Sequence, residues 1–179
     1  MKYLSLLRGI NVSGQKKIKM ADLKVLYESL GLKNVSTYIQ SGNVMFDSDL
    51  SETDKVISLI ETEIEKQYQF FVPVVLRTKE EIEKIITNCP FSEAKDEAYA
   101  TKVLVTILND VPEQEKIEEL KSSVKPPEKL VVCDKEVYIF CPNGYGKSKL
   151  TNNFIEKKLE RSATTRNWKS INKLNLMME

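Results

Sequence analysis

The chain has 179 residues, 41% of them hydrophobic and 30% charged, with a formal net charge of +1. That size fits one large domain or two small ones of ordinary soluble composition, and no run reaches the roughly 18 apolar residues of a membrane span. Histidine is absent, which excludes a Ser-His-Asp triad and removes the commonest general base and metal ligand.

Tyr3–Arg8 is a short apolar run that predicts a buried strand. The opening MKYLSLLR has too short an apolar part for a secretory signal, and no small-residue cleavage site follows it, so the expected location is the cytoplasm. A polar loop, residues 9–17, carries Gly9 and Gly14. Met20, Leu23, Leu26, Tyr27 and Leu30 then fall at helical spacing, with Gly31 as a left-handed cap. Val35–Gln40 and Val44–Phe46 predict two strands around the turn Ser41-Gly42-Asn43. Ser51 is the expected cap of a helix carrying Val56, Ile57, Ile60 and Ile64, and Phe71–Leu76 returns as a strand. Pro73 places that strand at a sheet edge. Residues 2–77 thus read β-α-β-β-α-β, the ferredoxin-like plan.

Thr78 and Glu81 form a capping box for a helix with Ile82, Ile85 and Ile86. Residues 90–101 form a polar linker. The order then repeats: a strand at Val103–Leu108, a helix after Pro112, a hairpin of Leu130–Cys133 with Glu136–Cys141, and a helix from about Ser148. Val132, Val137, Ile139 and Cys141 share one face of that hairpin and Cys133 the other. No closing strand is expected; Thr164 instead caps a last helix holding Trp168, Ile171 and Leu174. The predicted fold is α+β. It has two tandem ferredoxin-like subdomains with antiparallel sheets, residues 1–78 and 102–179, joined by a helix and linker over 79–101. The second ends in extra C-terminal helices. In this plan the first and third strands of each half are taken as parallel neighbours. Loops 9–17 and 142–148 then lie on equivalent rims, with the turn 41–43 on the opposite rim.

Cys89, Cys133 and Cys141 are odd in number and form no C-x-x-C pair, so free core thiols are expected, with no disulfide, metal site or cofactor. The stretch CPNGYGKSKL contains Gly146-Lys147-Ser148, the end of a phosphate-binding loop. Cys141 stands where the first glycine belongs, and no further β-α units follow, so a nucleotide triphosphatase is not expected. What remains is a glycine-bearing turn before a helix N-terminus, a favourable place for an anion.

Charge is unevenly spread. Residues 1–20 hold five bases and no acid, and residues 143–173 hold eight bases against two acids, whereas residues 80–119 hold eleven acids against four bases. Two basic loops at strand ends point to a phosphate-bearing small molecule or a nucleic acid as partner. Arg8, Lys17, Lys147 and Arg166 are the candidate phosphate contacts. Asn11, Gln40, Asn43, Gly146, Ser148 and Asn167 are candidate polar contacts. A histidine-independent enzyme of phosphoryl or acyl chemistry with a lysine base is the alternative. A protein-interaction module that self-associates is another.

The stretches LLRGINVSGQKKIKM (6–20), YIQSGNVMF (38–46), PNGYGKSKL (142–150) and ATTRNW (163–168) resemble the bacterial family of unknown function DUF1697. Ser13 departs from the glycine often found there. The resemblance implies a two-part α+β fold of ferredoxin-like pieces, and it implies no activity. It places Arg8, Gly9, Asn11, Gly14, Gln40, Ser41, Gly42, Asn43, Gly146, Lys147, Thr165, Arg166, Asn167 and Trp168 in the family pattern without assigning them roles.

Overall fold

A computed structural model describes residues 1–179. Its contacts divide the chain into two units, Met1–Ile82 with Leu174–Glu179, and Glu83–Lys173. In the first unit the order is β1 (Lys2–Leu7), α1 (Met20–Ser29), β2 (Lys33–Tyr38), β3 (Asn43–Asp47), α2 (Thr53–Tyr68) and β4 (Val74–Thr78). The four strands form one antiparallel sheet in the order β2-β3-β1-β4. Tyr3, Leu7, Val44, Phe46 and Leu76 of the sheet share a core with Leu23, Leu26 and Tyr27 of α1 and Val56, Ile60 and Ile64 of α2. The helix ends follow local chemistry. Gly31 sits at φ 78°, its N–H reaches Glu28 O at 3.0 Å, and the Leu32 N–H reaches Tyr27 O at 3.4 Å. This is a Schellman close with Leu32 buried beneath it. Ser51 does not cap α2. The helix starts at Thr53, and Glu52 precedes it with no side-chain cap bond.

After α3 (Lys79–Thr87), the second unit repeats the plan: β5 (Val103–Leu108), α4 (Gln114–Ser122), β6 (Lys129–Cys133), β7 (Glu136–Phe140), α5 (Asn152–Leu159) and β8 (Ala163–Asn167), then α6 (Trp168–Met177). Its antiparallel sheet runs β6-β7-β5-β8. Leu104, Leu108, Val137, Ile139 and Cys141 pack with Leu120, Ile155 and Leu159. Cys141 and Cys133 lie on opposite faces of the hairpin, but of the three expected core thiols only Cys141 is buried; Cys133 is exposed and Cys89 half-buried. The expected capping box starts α3: Thr78 N–H donates to Glu81 Oε2 (2.8 Å), and Glu81 N–H to Thr78 Oγ1 (3.3 Å).

Two expectations need correction. Residues 163–167 are a closing strand paired with β5, not a helix start, so one helix, α6, follows the second ferredoxin-like half. The five-residue run ATTRN lacks apolar alternation because two of its buried positions hold Thr164 and Arg166, and the threonine-rich start imitates a cap. Secondly, the first and third strands are antiparallel neighbours. The crossover helix returns β2 parallel to β1, the hairpin reverses β3, and β3 inserts between them. The turn at 41–43 therefore shares the rim of loop 9–17 instead of opposing it. Loop 142–148 leaves the far end of its sheet, where Cys141 N–H donates to Lys102 O at 2.8 Å.

The duplication holds at the level of register. Leu7 pairs with Val74 and Leu4 with Arg77, and likewise Leu108 pairs with Ala163 and Val105 with Arg166. Both arginines are buried. No helix is long and apolar enough to cross a membrane.

Candidate functional site

Three segments meet at the C-terminal end of β1 in the first unit. Leu7 N–H donates to Gly42 O (2.8 Å) and Arg8 N–H to Pro73 O (3.0 Å). Asn11 Nδ2 donates to Gln40 O (2.8 Å) and Ile18 O (2.9 Å), while its Oδ1 accepts the Ile18 N–H (2.9 Å). Lys16 Nζ donates to Phe71 O at 2.7 Å. The loop 8–17 is thereby fixed against residues 39–42 and 71–73.

Its backbone is unusual. Gly9, Asn11, Ser13, Gly14 and Lys16 all lie between φ 45° and 75°. From Gly9 to Ser13 these left-handed residues alternate with ones of negative φ. The amides of Gly9, Ser13 and Gly14 meet no protein acceptor, while Val12 and Gln15 pair across the loop. Runs of this kind form concavities that bind anions. Arg8, Lys16, Lys17 and Lys19 surround the loop, and the first acid in the chain is Asp22. Ile39 sits at φ 50°. A left-handed β-branched residue costs about 1–2 kcal/mol, and Ile39 is exposed, so burial does not offset that cost. Gly42 is required at φ 79°: a Cβ there would lie 2.7 Å from Leu7 Cβ and 2.8 Å from Ile10 Cδ1.

The candidate residues separate by role. Arg8 is half-buried, and Lys17 and Gln40 are exposed at the rim. Asn11 and Asn43 serve the backbone; Asn43 is buried, donating to Tyr38 O (2.9 Å) and Ser41 Oγ (3.0 Å).

In the second unit, Tyr145–Lys147 forms a single 3-10 turn, and Ser148 Oγ accepts the Leu150 N–H at 3.0 Å. Ser148 does not open α5. Thr151 caps that helix, accepting the Phe154 N–H at 3.2 Å. Burial raises the Tyr145 hydroxyl above its ordinary range, while Thr165 and the Asn152 backbone close by pull it down. Thr165 Oγ1 lies 2.7 Å from Thr106 Oγ1 and donates to Asn152 Oδ1 at 2.9 Å, while Asn152 Nδ2 donates to Ala163 O at 3.0 Å. The Tyr145 phenol thus stands close to the first-turn amide that a phosphate would need. Gly146 and Lys147 are exposed. Arg166 is buried in β8 and donates to Thr164 Oγ1 (2.6 Å) and Thr165 O (2.9 Å). Burial pulls its pKa down to about 10. Asn167 Oδ1 caps α6 by accepting the Ser170 N–H at 2.8 Å.

The four loops therefore form two pairs, 8–17 with 39–43 in one unit and 143–148 with 163–168 in the other. Sequence reading did not find the Thr106–Thr165–Asn152 network, because its members are far apart in the chain and carry no motif. Nor did it find the exposed apolar residues around loop 8–17. Burial raises the Cys89 and Cys141 thiols above their ordinary range, the reverse of what a nucleophile needs. The lysines that shift, Lys33 and Lys116, move up through hydrogen bonds to Asp49 and Glu160, the opposite of a lysine general base. No group of three His, Cys, Asp or Glu side chains is placed to hold a metal ion.

The model of a family described as "Protein of unknown function (DUF1697)" matches residues 1–138. The matched residues take in the stretches 6–20 and 38–46 and end before 142–150. The solved structure of a conserved bacterial protein, SP0830, from Streptococcus pneumoniae is similar to this chain over 99% of its length and 98% of the other's, with a TM-score of 0.78 and 24% identity. It has the same fold. No curated protein matches the chain.

Proposed function

Since the chain belongs to the DUF1697 family, whose description assigns no activity, we propose from its own geometry that it binds an anionic ligand at the loop 8–17 of the first unit. One observation carries this reading: exposed amides of a left-handed backbone run, free of protein acceptors, lie within a segment that has bases and no acid. The amides would hold a compact anion such as a phosphate group. Arg8 and Lys17 would add charge, and Asn11 holds the loop in shape. The loop 142–148 is left out of the site, because its glycine turn does not run into α5: Ser148 Oγ is engaged by the Leu150 N–H, and the helix opens only after its cap Thr151. Three unpaired cysteines, one of them exposed, fit a reducing compartment, and we place the protein in the cytoplasm.

The test is titration of pyrophosphate and a panel of nucleotides at low and high ionic strength, with the native protein and the double variant Arg8→Ala, Lys17→Ala. Binding is expected at low salt, weakening as salt rises. The variant should lose at least about tenfold, the scale of one charged hydrogen bond. Absence of binding for every anion at low salt, or undiminished binding by the variant, overturns the reading.

A further inference from the structure

The rim of loop 8–17 carries a second feature that a bare phosphate does not use. Val12, Ile39 and Phe71 are 58%, 49% and 48% exposed. Each belongs to one of the three segments tied together at the end of β1. Val12 follows Asn11, Ile39 precedes the Gln40 carbonyl that Asn11 holds, and the Phe71 carbonyl is held by Lys16 Nζ at 2.7 Å. These apolar groups therefore border the same basic loop. Ile39 is held in a left-handed conformation with its side chain in water.

Apolar surface bordered by lysines and an arginine, with no acid before Asp22, complements a partner that is anionic and presents flat apolar groups. Resting on the anion-binding reading above, we propose that the ligand is a single-stranded nucleic-acid segment. Its phosphates would meet the loop amides, Arg8 and Lys17. One base would stack on Phe71 and the next would lie against Ile39 and Val12. Paired bases could not offer their faces this way, so a duplex should bind far less well.

The test is fluorescence anisotropy with labelled single-stranded DNA and RNA of about 10 nucleotides, beside the matching duplex, a mononucleotide, pyrophosphate and an acidic apolar peptide. The proteins are native, Phe71→Ala and Phe71→Leu, each checked for unchanged thermal unfolding. Single strands should bind more tightly than duplex or mononucleotide. Phe71→Ala should weaken single-strand binding about tenfold, as loss of one stacked base does, and leave pyrophosphate affinity unchanged. Phe71→Leu tests stacking separately from burial and should recover only part of the loss. Four outcomes overturn the proposal: equal duplex and single-strand affinity, a mononucleotide binding as tightly as the oligomer, peptide binding alone, or no effect of Phe71→Ala. If pyrophosphate binds while oligomers gain nothing from their bases, this inference fails and the anion-binding reading stands. If no anion binds at low salt, both fail.

Discussion

Replacing Gly42 by alanine tests how the turn 39–42 holds the loop 8–17. Two costs add. The residue stays at φ 79°, where an L side chain costs about 1–2 kcal/mol. Its Cβ would stand 2.7 Å from Leu7 Cβ and 2.8 and 3.0 Å from Ile10 Cδ1 and Cγ1. Leu7 cannot give way cheaply. It is fully buried, the crowded atom is its Cβ, and its N–H is fixed on Gly42 O at 2.8 Å. Overpacking of this kind costs about 1–3 kcal/mol. Reduced freedom of the unfolded chain returns about 0.4–1 kcal/mol. The net loss should be about 3 kcal/mol, a fall in Tm of roughly 6–12 °C for a chain of this size. Gly9→Ala is the control, because Gly9 has φ 70° but nothing within 4 Å of an added Cβ. It should lose only about 1 kcal/mol. Urea unfolding followed by far-UV circular dichroism measures both. If Gly42→Ala is no more destabilising than Gly9→Ala, close packing of the turn on Leu7 and Ile10 is not what requires glycine at 42.

Asn11→Ala removes three hydrogen bonds between the loop, Gln40 and Ile18. It should cost about 2–3 kcal/mol in unfolding free energy and abolish pyrophosphate binding, read by urea unfolding and calorimetric titration. Tyr145→Phe removes a half-buried hydroxyl that lies close to Thr165 and the Asn152 backbone. It should cost about 1–2 kcal/mol, while Lys147→Ala should cost nothing measurable; neither should change anion affinity, and a loss in either would return the site to the second unit. Glu61 accepts the Val74 N–H at 2.8 Å, and burial raises its carboxyl above the usual range against the pull of that amide. The folded state then holds this proton more tightly than the unfolded state. The resulting stability is present below the unfolded pKa and is lost as pH rises through the folded one. Glu61→Gln keeps the acceptor and should remove that fall, seen as a flatter Tm–pH profile just above the ordinary carboxylate range. An unchanged profile would refute it.

Local signals determined most of the elements before any tertiary contact was needed. Helical spacing marked the faces of α1 and α2, the Thr78–Glu81 box marked the start of α3, and Gly31 marked the end of α1. These depend on neighbours within a turn, so a linear reading captures them. The charge gap before Asp22 and the glycines of loop 8–17 were equally plain in the sequence. Strand direction was not: the ferredoxin-like order was legible, but the antiparallel insertion of β3 beside β1 decides which loops share a rim, and that depends on pairing across the sheet. The closing strand β8 was hidden because Thr164 and Arg166 take buried positions and break the apolar pattern. Only tertiary structure brought Tyr145 beside the first turn of α5. Only it gathered Val12, Ile39 and Phe71 around one basic loop, because hydrogen bonds between distant segments set that neighbourhood.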